Sequence, residues 1–168
     1  MMKGSPKSIS SKIRGAVIAA FVALHISPTL VDAQEQDVIK LFDEYLALFN
    51  AGDSESIANS IFSAPIHYAG DWTQNTWQTE EEVKLGFDEE FNNLRDAGWS
   101  KSVHNLIDIC IASDSLAFVT LTYSYLNVSG EPIPPTLRTG MYVAVQTLDG
   151  WRVYAGFDYD QPVQLECN

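Results

Sequence analysis

The spacing of apolar residues changes near Ser100, and this change restricts the possible folds more than any other feature of the sequence. Before it, residues 37–49 and 79–97 repeat apolar side chains every three or four positions, which predicts amphipathic helices. After it, Val, Ile, Thr, Tyr and Phe dominate and the period falls to two, which predicts strands. The strands predicted from this pattern cover 101–111, 116–127, 138–148 and 151–159.

Local signals complete the predicted order of elements. Asp53 is suited to cap a short second helix, and residues 79–82 have the spacing of a capping box. Residues 66–69 resemble a short strand, and the Asp149–Gly150 pair predicts a hairpin. Helices followed by a run of strands are typical of the α+β class. We expect a strongly curved, mainly antiparallel sheet wrapped around three N-terminal helices, a cone with an internal pocket.

The N-terminal residues 1–33 have the layout of a secretory signal peptide. Four basic residues precede an apolar run at 15–24, and the small-residue sequence Val31-Asp32-Ala33 comes directly before Gln34. The alternative is an uncleaved membrane anchor, although the run is short for a helix that spans a bilayer. We therefore expect an exported protein, periplasmic or extracellular, with one domain over 34–168.

Charge restricts the partners of that domain. Residues 34–168 keep 21 of the 22 acids but only 6 of the 10 bases, a formal charge of −15. Such a surface repels phosphate groups, so we expect no nucleic-acid partner and no membrane association after signal cleavage.

The sequence leaves open whether Cys110 and Cys167 form a disulfide and whether Asn127, in an Asn-Val-Ser sequon, is glycosylated.

Two segments resemble the nuclear transport factor 2-like superfamily, which includes ketosteroid isomerases and SnoaL-like polyketide cyclases. The first, residues 45–53, is similar to the family's Y-x-x-x-x-N-x-G-D run, and the second, residues 149–153, is similar to its last hairpin. The resemblance implies that Tyr45 donates a hydrogen bond to a substrate oxygen. It also places Asp71 near the position of the isomerase base, displaced by one or two residues. The isomerase's second acid would fall near Gly140 or Met141, neither of which is acidic. The positions of the SnoaL-like histidines hold Ala155 and Phe157, with Asp158 between Phe157 and Tyr159.

The residues themselves supply further candidates. Tyr45, His67 and Asp71 are the candidate catalytic residues, and His67 is expected to enter the pocket on its strand, with Tyr68 facing outward. His104 shares a predicted strand face with Asp108. Each has an ordinary alternative: a core tyrosine bonded within the protein, or a polar pair on the surface. The candidate ligand-binding residues are Tyr45, Trp72, Trp77, His104, Tyr123, Arg138 and Tyr142.

These features favour a domain that binds a small apolar or aromatic molecule in its pocket. An enzyme that moves protons without a cofactor (an isomerase, cyclase or hydratase acting on a steroid-like or polyketide-like substrate) is the alternative, and a dimeric interaction module is a third. Two or more titratable groups in the pocket would favour the enzyme.

The sequence contains no zinc-ligand spacing, phosphate-binding glycine loop or serine-hydrolase elbow, so we expect no cofactor and no metal. Apolar residues on both faces of strands 116–127 and 138–148 predict a homodimer.

Overall fold

The computed structural model describes residues 30–70 and 74–163. Asp71, Trp72 and Cys167 lie outside these ranges, as does most of the predicted signal peptide. Three α-helices and one π-helical turn accompany six strands. The helical elements are α1 (Leu30–Ala51), α2 (Ser54–Ser56), the π-helical turn Ile57–Ile61 and α3 (Glu80–Asp96), and the strands are β1 (Phe62–Gly70), β2 (Gln74–Trp77), β3 (Trp99–Ser113), β4 (Leu116–Asn127), β5 (Arg138–Thr147) and β6 (Gly150–Tyr159).

The six strands form one mixed sheet in the order β2-β1-β6-β5-β4-β3. All neighbouring pairs are antiparallel except β1 and β6, which run parallel. The sheet is open, with β2 and β3 at its edges. The α+β class is confirmed, and the predicted elements follow one another in the predicted order, with one strand added. The strand β2 was not predicted, because its four residues Gln-Asn-Thr-Trp carry no alternating apolar pattern.

The helices α1 and α3 bury one stripe each against the concave face of the sheet. The stripe of α1 consists of Val38, Leu41, Phe42, Tyr45 and Phe49, and that of α3 consists of Val83, Phe87, Phe91 and Leu94. These side chains interlock through edge-to-face ring contacts, such as Phe49 on Phe91 with ring centres 4.9 Å apart. Such pairs add specific geometry to the burial of apolar area. The space that the helices and the sheet leave open between them becomes the cavity.

The residues of the Y-x-x-x-x-N-x-G-D run fix the end of α1 to the sheet. The Asn50 amide donates to the Ser102 carbonyl oxygen at 3.0 Å, and the Asn50 side-chain oxygen accepts from the Ser102 amide at 2.6 Å. Gly52 adopts a left-handed conformation with φ of 68°, which favours glycine at a helix end. Asp53 accepts from the Ser56 amide at 3.0 Å and so caps α2, as predicted.

Two β-bulges change which side chains face the core. In β3 the ladder pairs His104 with Tyr123 and then Leu106 with Thr122, so Asn105 is an extra residue. In β6 the ladder pairs Ala155 with Val143 and then Val153 with Ala144, so Tyr154 is extra. An extra residue reverses the alternation of the strand beyond it. The prediction that His104 and Asp108 share a face is therefore wrong: His104 faces inward, and Asp108 lies on the outer face opposite Thr120.

Three remaining features bear on the sequence predictions. Cys110 is disulfide-bonded, and the chain's other cysteine is Cys167. The Asn127 side-chain oxygen accepts from the amides of Ser129 and Glu131, at 2.9 and 3.0 Å, and so holds the turn after β4. Within the described ranges, none of the helices combines the length and apolar character needed to cross a bilayer.

Candidate functional site

A cavity of about 560 Å³ opens between α1, α3 and the concave face of the sheet. All three layers contribute side chains to it, and aromatic rings make up much of its wall. The predicted ligand-binding residues Tyr45, Trp77, His104, Tyr123 and Tyr142 all line it. The other lining residues include Phe49, Tyr68, Glu82, Leu85, Phe87, Glu89, Glu90, Ser102, Tyr125 and Asp158.

Two glycines leave the floor of the cavity open for aromatic rings. Gly140 has no Cβ, and the Tyr142 hydroxyl lies 2.5 Å from the position that a Cβ there would take. Gly156 lies directly opposite Tyr142 on β6, and the Tyr68 ring approaches to 2.9 Å of its missing Cβ. These approaches require glycine, because any larger residue would displace a ring. The two rings therefore lie flat across β5 and β6.

Asp158 lies at this floor, opposite Gly140 in the β5–β6 ladder. Its Oδ1 is buried and has no hydrogen-bond partner among the described residues. Burial, with a smaller contribution from the charge of Asp160, raises the pKa of Asp158 to about 7. A carboxyl group of this kind exchanges its proton readily near neutral pH.

Tyr45 and Tyr142 place two phenols beside this carboxyl group. Their rings lie 6.3 Å apart at an angle of 80°, and a hydrogen bond between the two side chains acts on the Tyr142 phenol. Burial raises the pKa of both phenols well above the usual range, and a negative charge on Asp158 raises that of Tyr45 further. Both phenols therefore stay protonated, and because one accepts the hydrogen bond of the other, one O–H remains able to donate to a third group.

Two more groups along the wall, His104 and Glu90, have shifted pKa values. Burial lowers the pKa of His104, partly offset by Asp43, so its imidazole is neutral near pH 7. Partial burial raises the pKa of Glu90, partly offset by Arg138. Three lining groups other than the tyrosines thus have shifted pKa values: Asp158, His104 and Glu90.

His67 lies outside the cavity, which corrects the expectation that it enters it. Its side chain is exposed, and its Nδ1 lies 3.2 Å from the Thr76 Oγ1 of the edge strand β2. Tyr68, expected to face outward, instead lines the cavity. His67 and Tyr68 do face opposite sides of the sheet, but Tyr68 and not His67 is the residue that faces inward. The predicted residues Asp71 and Trp72 lie outside the described ranges.

Arg138 is also turned away from the cavity lining. Its guanidinium donates to the carbonyl oxygens of Pro135 and Pro134, at 2.7 and 3.1 Å, and lies over the Tyr125 ring at 4.6 Å from its centre. A 3.7 Å ion pair joins its Nε to Asp160. These contacts fix the proline-containing loop between β4 and β5 (the proline loop), so Arg138, a candidate ligand-binding residue, anchors backbone instead.

Asp158 is the functional candidate that the sequence patterns did not select. The apolar alternation of Trp151 and Val153, continued without interruption, predicts 155, 157 and 159 as the inward positions. The bulge at Tyr154 reverses this, so Asp158 faces inward and Phe157 is exposed. Within the described ranges no cluster of three His, Cys, Asp or Glu side chains is arranged to hold a metal ion.

Comparison with solved structures finds the same fold at low sequence identity. An NTF2-like protein with a cystatin-like fold from Novosphingobium aromaticivorans is 16% identical, with a TM-score of 0.63 over 76% of this chain and 81% of that one. A "putative dehydratase from the NTF2-like family" from Streptomyces avermitilis is 18% identical, with a TM-score of 0.59 over 80% and 99%. A Catenulispora acidiphila protein solved in complex with S-DNPA is 14% identical, with a TM-score of 0.61 over 76% and 92%.

Likeness at this level of identity shows the fold alone. No curated protein matches the sequence. The sequence model of one family does match, over residues 34–160, and its description is NTF2-like protein (DUF6841). This match covers most of the chain. The chain therefore belongs to the NTF2-like family DUF6841.

Proposed function

We propose that the cavity is the active site of a cofactor-free enzyme that transfers a proton within a small carbonyl compound. The observation that carries this proposal is the unpartnered, buried Oδ1 of Asp158 at the floor of an open cavity. A buried carboxyl oxygen without a hydrogen bond costs folding free energy, so its presence beside two phenols favours a role in chemistry.

Each group has a defined part in the proposed reaction. The Asp158 carboxylate removes a proton from the carbon next to the carbonyl group, and the electron pair of that C–H bond forms the C=C bond of an enolate. The Tyr45 and Tyr142 phenols stabilise the negative charge on the enolate oxygen. Neutral Asp158 then returns the proton to a carbon further along the conjugated system. The product is an isomer of the substrate, and no electron, proton or cofactor is consumed.

The acidity of Asp158 suits this task. With its pKa at about 7, both forms are populated at neutral pH, so the same carboxyl group can accept and return a proton. The neighbouring phenols are far weaker acids and donate hydrogen bonds without losing their protons. Because Tyr45 and Tyr142 are buried, these hydrogen bonds are stronger than they would be in solvent.

Deuterium exchange tests the proposal with a general class of compound, so the natural substrate need not be identified. We expect the protein in D₂O to incorporate deuterium next to the carbonyl of β,γ-unsaturated ketones, including steroid-like examples, faster than buffer does. Asp158→Asn, which keeps the side-chain size, should abolish this acceleration while His67→Gln, outside the cavity, retains it. Ketones that bind without enzyme-dependent exchange, or equal exchange by Asp158→Asn, would overturn the proposal.

Binding without turnover is the second candidate function, and the aromatic wall favours it. Rings from Tyr45, Tyr68, Trp77, Tyr123 and Tyr125 suit a flat apolar or aromatic ligand whatever its reactivity. A pure binder would hold such ligands equally well after Asp158→Asn and would exchange no deuterium. An interaction module with a filled interior fits less well, because about 560 Å³ of the interior is open.

A further inference from the structure

The charged side chains that line the cavity are all acidic. Glu82, Glu89, Glu90 and Asp158 all line it, whereas its lining within the described part of the chain includes no lysine or arginine. The only other ionisable side chains there are His104 and the tyrosines, and His104 is neutral near pH 7 because burial lowers its pKa. A ligand that enters this cavity therefore meets negative charge with no compensating positive side chain in the wall.

Two positive charges close to the cavity are already bound by other groups. Arg138 is held by carbonyl oxygens of the proline loop and by Asp160. Lys84 projects from α3 but forms a 2.9 Å ion pair with Asp88. Neither residue lines the cavity, so neither can serve as the counter-ion of an anionic ligand without breaking these contacts.

Three of the four acids, the glutamates of α3, lie at the outer end of the cavity. Glu82, Glu89 and Glu90 belong to α3, and all three are exposed. The exposed side chain of Leu85 lies between Glu82 and Glu89 along the helix. Glu82 is occupied as part of the helix cap, since its carboxylate accepts from the Gln78 amide. Glu89 and Glu90 are therefore the carboxylates at the mouth, of which Glu90 also feels the charge of Arg138, while Asp158 lies at the floor.

The walls offer a second means of binding a cation. Aromatic faces attract ammonium and guanidinium groups, more strongly where water is excluded. The Arg138 guanidinium already lies on one of these rings, 4.6 Å from the centre of Tyr125. The remaining rings around the cavity, including Tyr45, Trp77 and Tyr123, are not occupied by any cation of the described residues.

We infer that the cavity selects a cationic ligand: a compound with an apolar or aromatic body and an ammonium group, seated with its positive charge at the mouth near Glu89 and Glu90. This inference rests on the proposed function only for the other end of the molecule, where a carbonyl group lies against Tyr45, Tyr142 and Asp158. The unpartnered Oδ1 of Asp158 is one polar atom of this cavity that a ligand can satisfy. An aminoketone combines both features.

Three probes of similar size separate charge from shape: 2-(2-naphthyl)ethylammonium, 2-(2-naphthyl)ethanol and 2-naphthylacetate. In titration calorimetry at low salt we expect the ammonium compound to bind at least about fivefold more tightly than the alcohol, and the carboxylate to bind weakest. The advantage should shrink when NaCl is raised from about 0.02 M to about 0.3 M, because salt screens charges at the mouth.

Matched variants locate the effect. Glu89→Gln, and Glu89→Gln combined with Glu90→Gln, should weaken binding of the ammonium probe severalfold and leave the alcohol unchanged. Glu81→Gln is the control, because it makes the same charge change on α3 but Glu81 is exposed and does not line the cavity. Equal weakening by all three variants would mean that only the overall charge acts, which overturns the mouth site.

The inference of a cationic ligand can be overturned independently of the proposed reaction. Equal affinity for the three probes, preference for the carboxylate, or binding of none of them overturns the inference, whatever the deuterium exchange of neutral ketones shows. Preference for the ammonium probe without any ketone exchange supports the inference and overturns the proposed enzyme.

Discussion

The Tyr142 hydroxyl lies 2.5 Å from the position that a Cβ on Gly140 would occupy. Gly140 is paired with Asp158 across the β5–β6 ladder, so the same position that admits the phenol also faces the carboxyl group. The absence of a side chain at 140 thus brings two functional groups of the cavity floor together. The position near which the resemblance would place the isomerase's second acid holds glycine, and the carboxyl group opposite it belongs to Asp158 on the neighbouring strand.

Gly140→Ala should disturb this floor. The added Cβ would clash with the Tyr142 hydroxyl and ring, so we expect a loss of about 1–3 kcal/mol of unfolding free energy in urea and a loss of ketone exchange. In the background of Tyr142→Leu, whose shorter side chain leaves space, the same change should cost much less. Equal costs in the two backgrounds would show that the contact is unimportant.

Asn50→Ala should loosen the joint between α1 and β3. It removes both hydrogen bonds to the Ser102 backbone and leaves a partly buried amide and carbonyl unsatisfied. We expect a destabilisation of about 1–3 kcal/mol by chemical denaturation. Asn92→Ala, which removes only an exposed contact with Arg95, is the control and should change stability little. If both variants cost the same, the asparagine of the Y-x-x-x-x-N-x-G-D run has no special structural role.

The order of elements was predictable because it depends on spacing and capping, which are local. The capping residue Thr79 accepts from the Glu82 amide at 3.2 Å, and the strand boundaries after Ser100 agree with the predicted ones within a few residues. These signals come from residues close together in sequence, where the physical preference of each residue acts directly.

The composition of the site was only partly predictable, because it depends on strand register. Tyr45 was selected correctly as a lining residue, since a long helical stripe fixes its direction. Asp158 and the outward position of Asp108 could not be predicted, because the bulges at Tyr154 and Asn105 reverse the faces of their strands. A bulge is set by pairing with a partner strand, and an alternating pattern in one strand carries little information about it.

The outer face of the sheet predicts self-association. Phe118 is 40% exposed and Leu106, on the adjacent strand, 49% exposed, and within the described residues the helices pack on the other face. We expect a homodimer by light scattering at micromolar concentration, and Phe118→Asp should yield a monomer. Leu148→Asp, at a fully exposed position in the β5–β6 turn, should leave the dimer intact. A monomeric wild-type protein would contradict the prediction.

Asp158 should make stability depend on pH with a defined sign. Its pKa is about 7 in the folded protein against an ordinary 3.8, so between these values the folded state binds the proton more tightly than the unfolded chain. Its stabilising contribution is complete below about pH 4 and is lost as pH rises through 7. Tyr45 and Tyr142, which face it from α1 and β5, keep their protons over this range, and the charge of Asp160 acts in the same direction as burial.

Asp158→Asn should therefore be more stable than the wild type above pH 7, by up to about 4 kcal/mol, and nearly equal to it at about pH 4. Urea denaturation of both proteins at several pH values measures this difference, in which the titration of all other groups largely cancels. Asp149→Asn, in the exposed β5–β6 turn, is the control and should show no such trend. A difference that does not grow with pH would contradict the assigned burial of the carboxyl group.

Tyr45→Phe separates a catalytic phenol from a structural one. As a donor to the enolate oxygen, Tyr45 forms a hydrogen bond that strengthens as negative charge develops, so its loss should slow ketone exchange by about 10²-fold or more. Binding of the ketone in its ground state should weaken by only about 0.5–1.5 kcal/mol, the net value of one neutral hydrogen bond. Tyr123→Phe, another buried phenol of the cavity wall, is the control and should affect exchange far less. If Tyr45→Phe lowers the melting temperature but leaves both binding and exchange unchanged, the hydroxyl serves the core alone, through its contact with Tyr142.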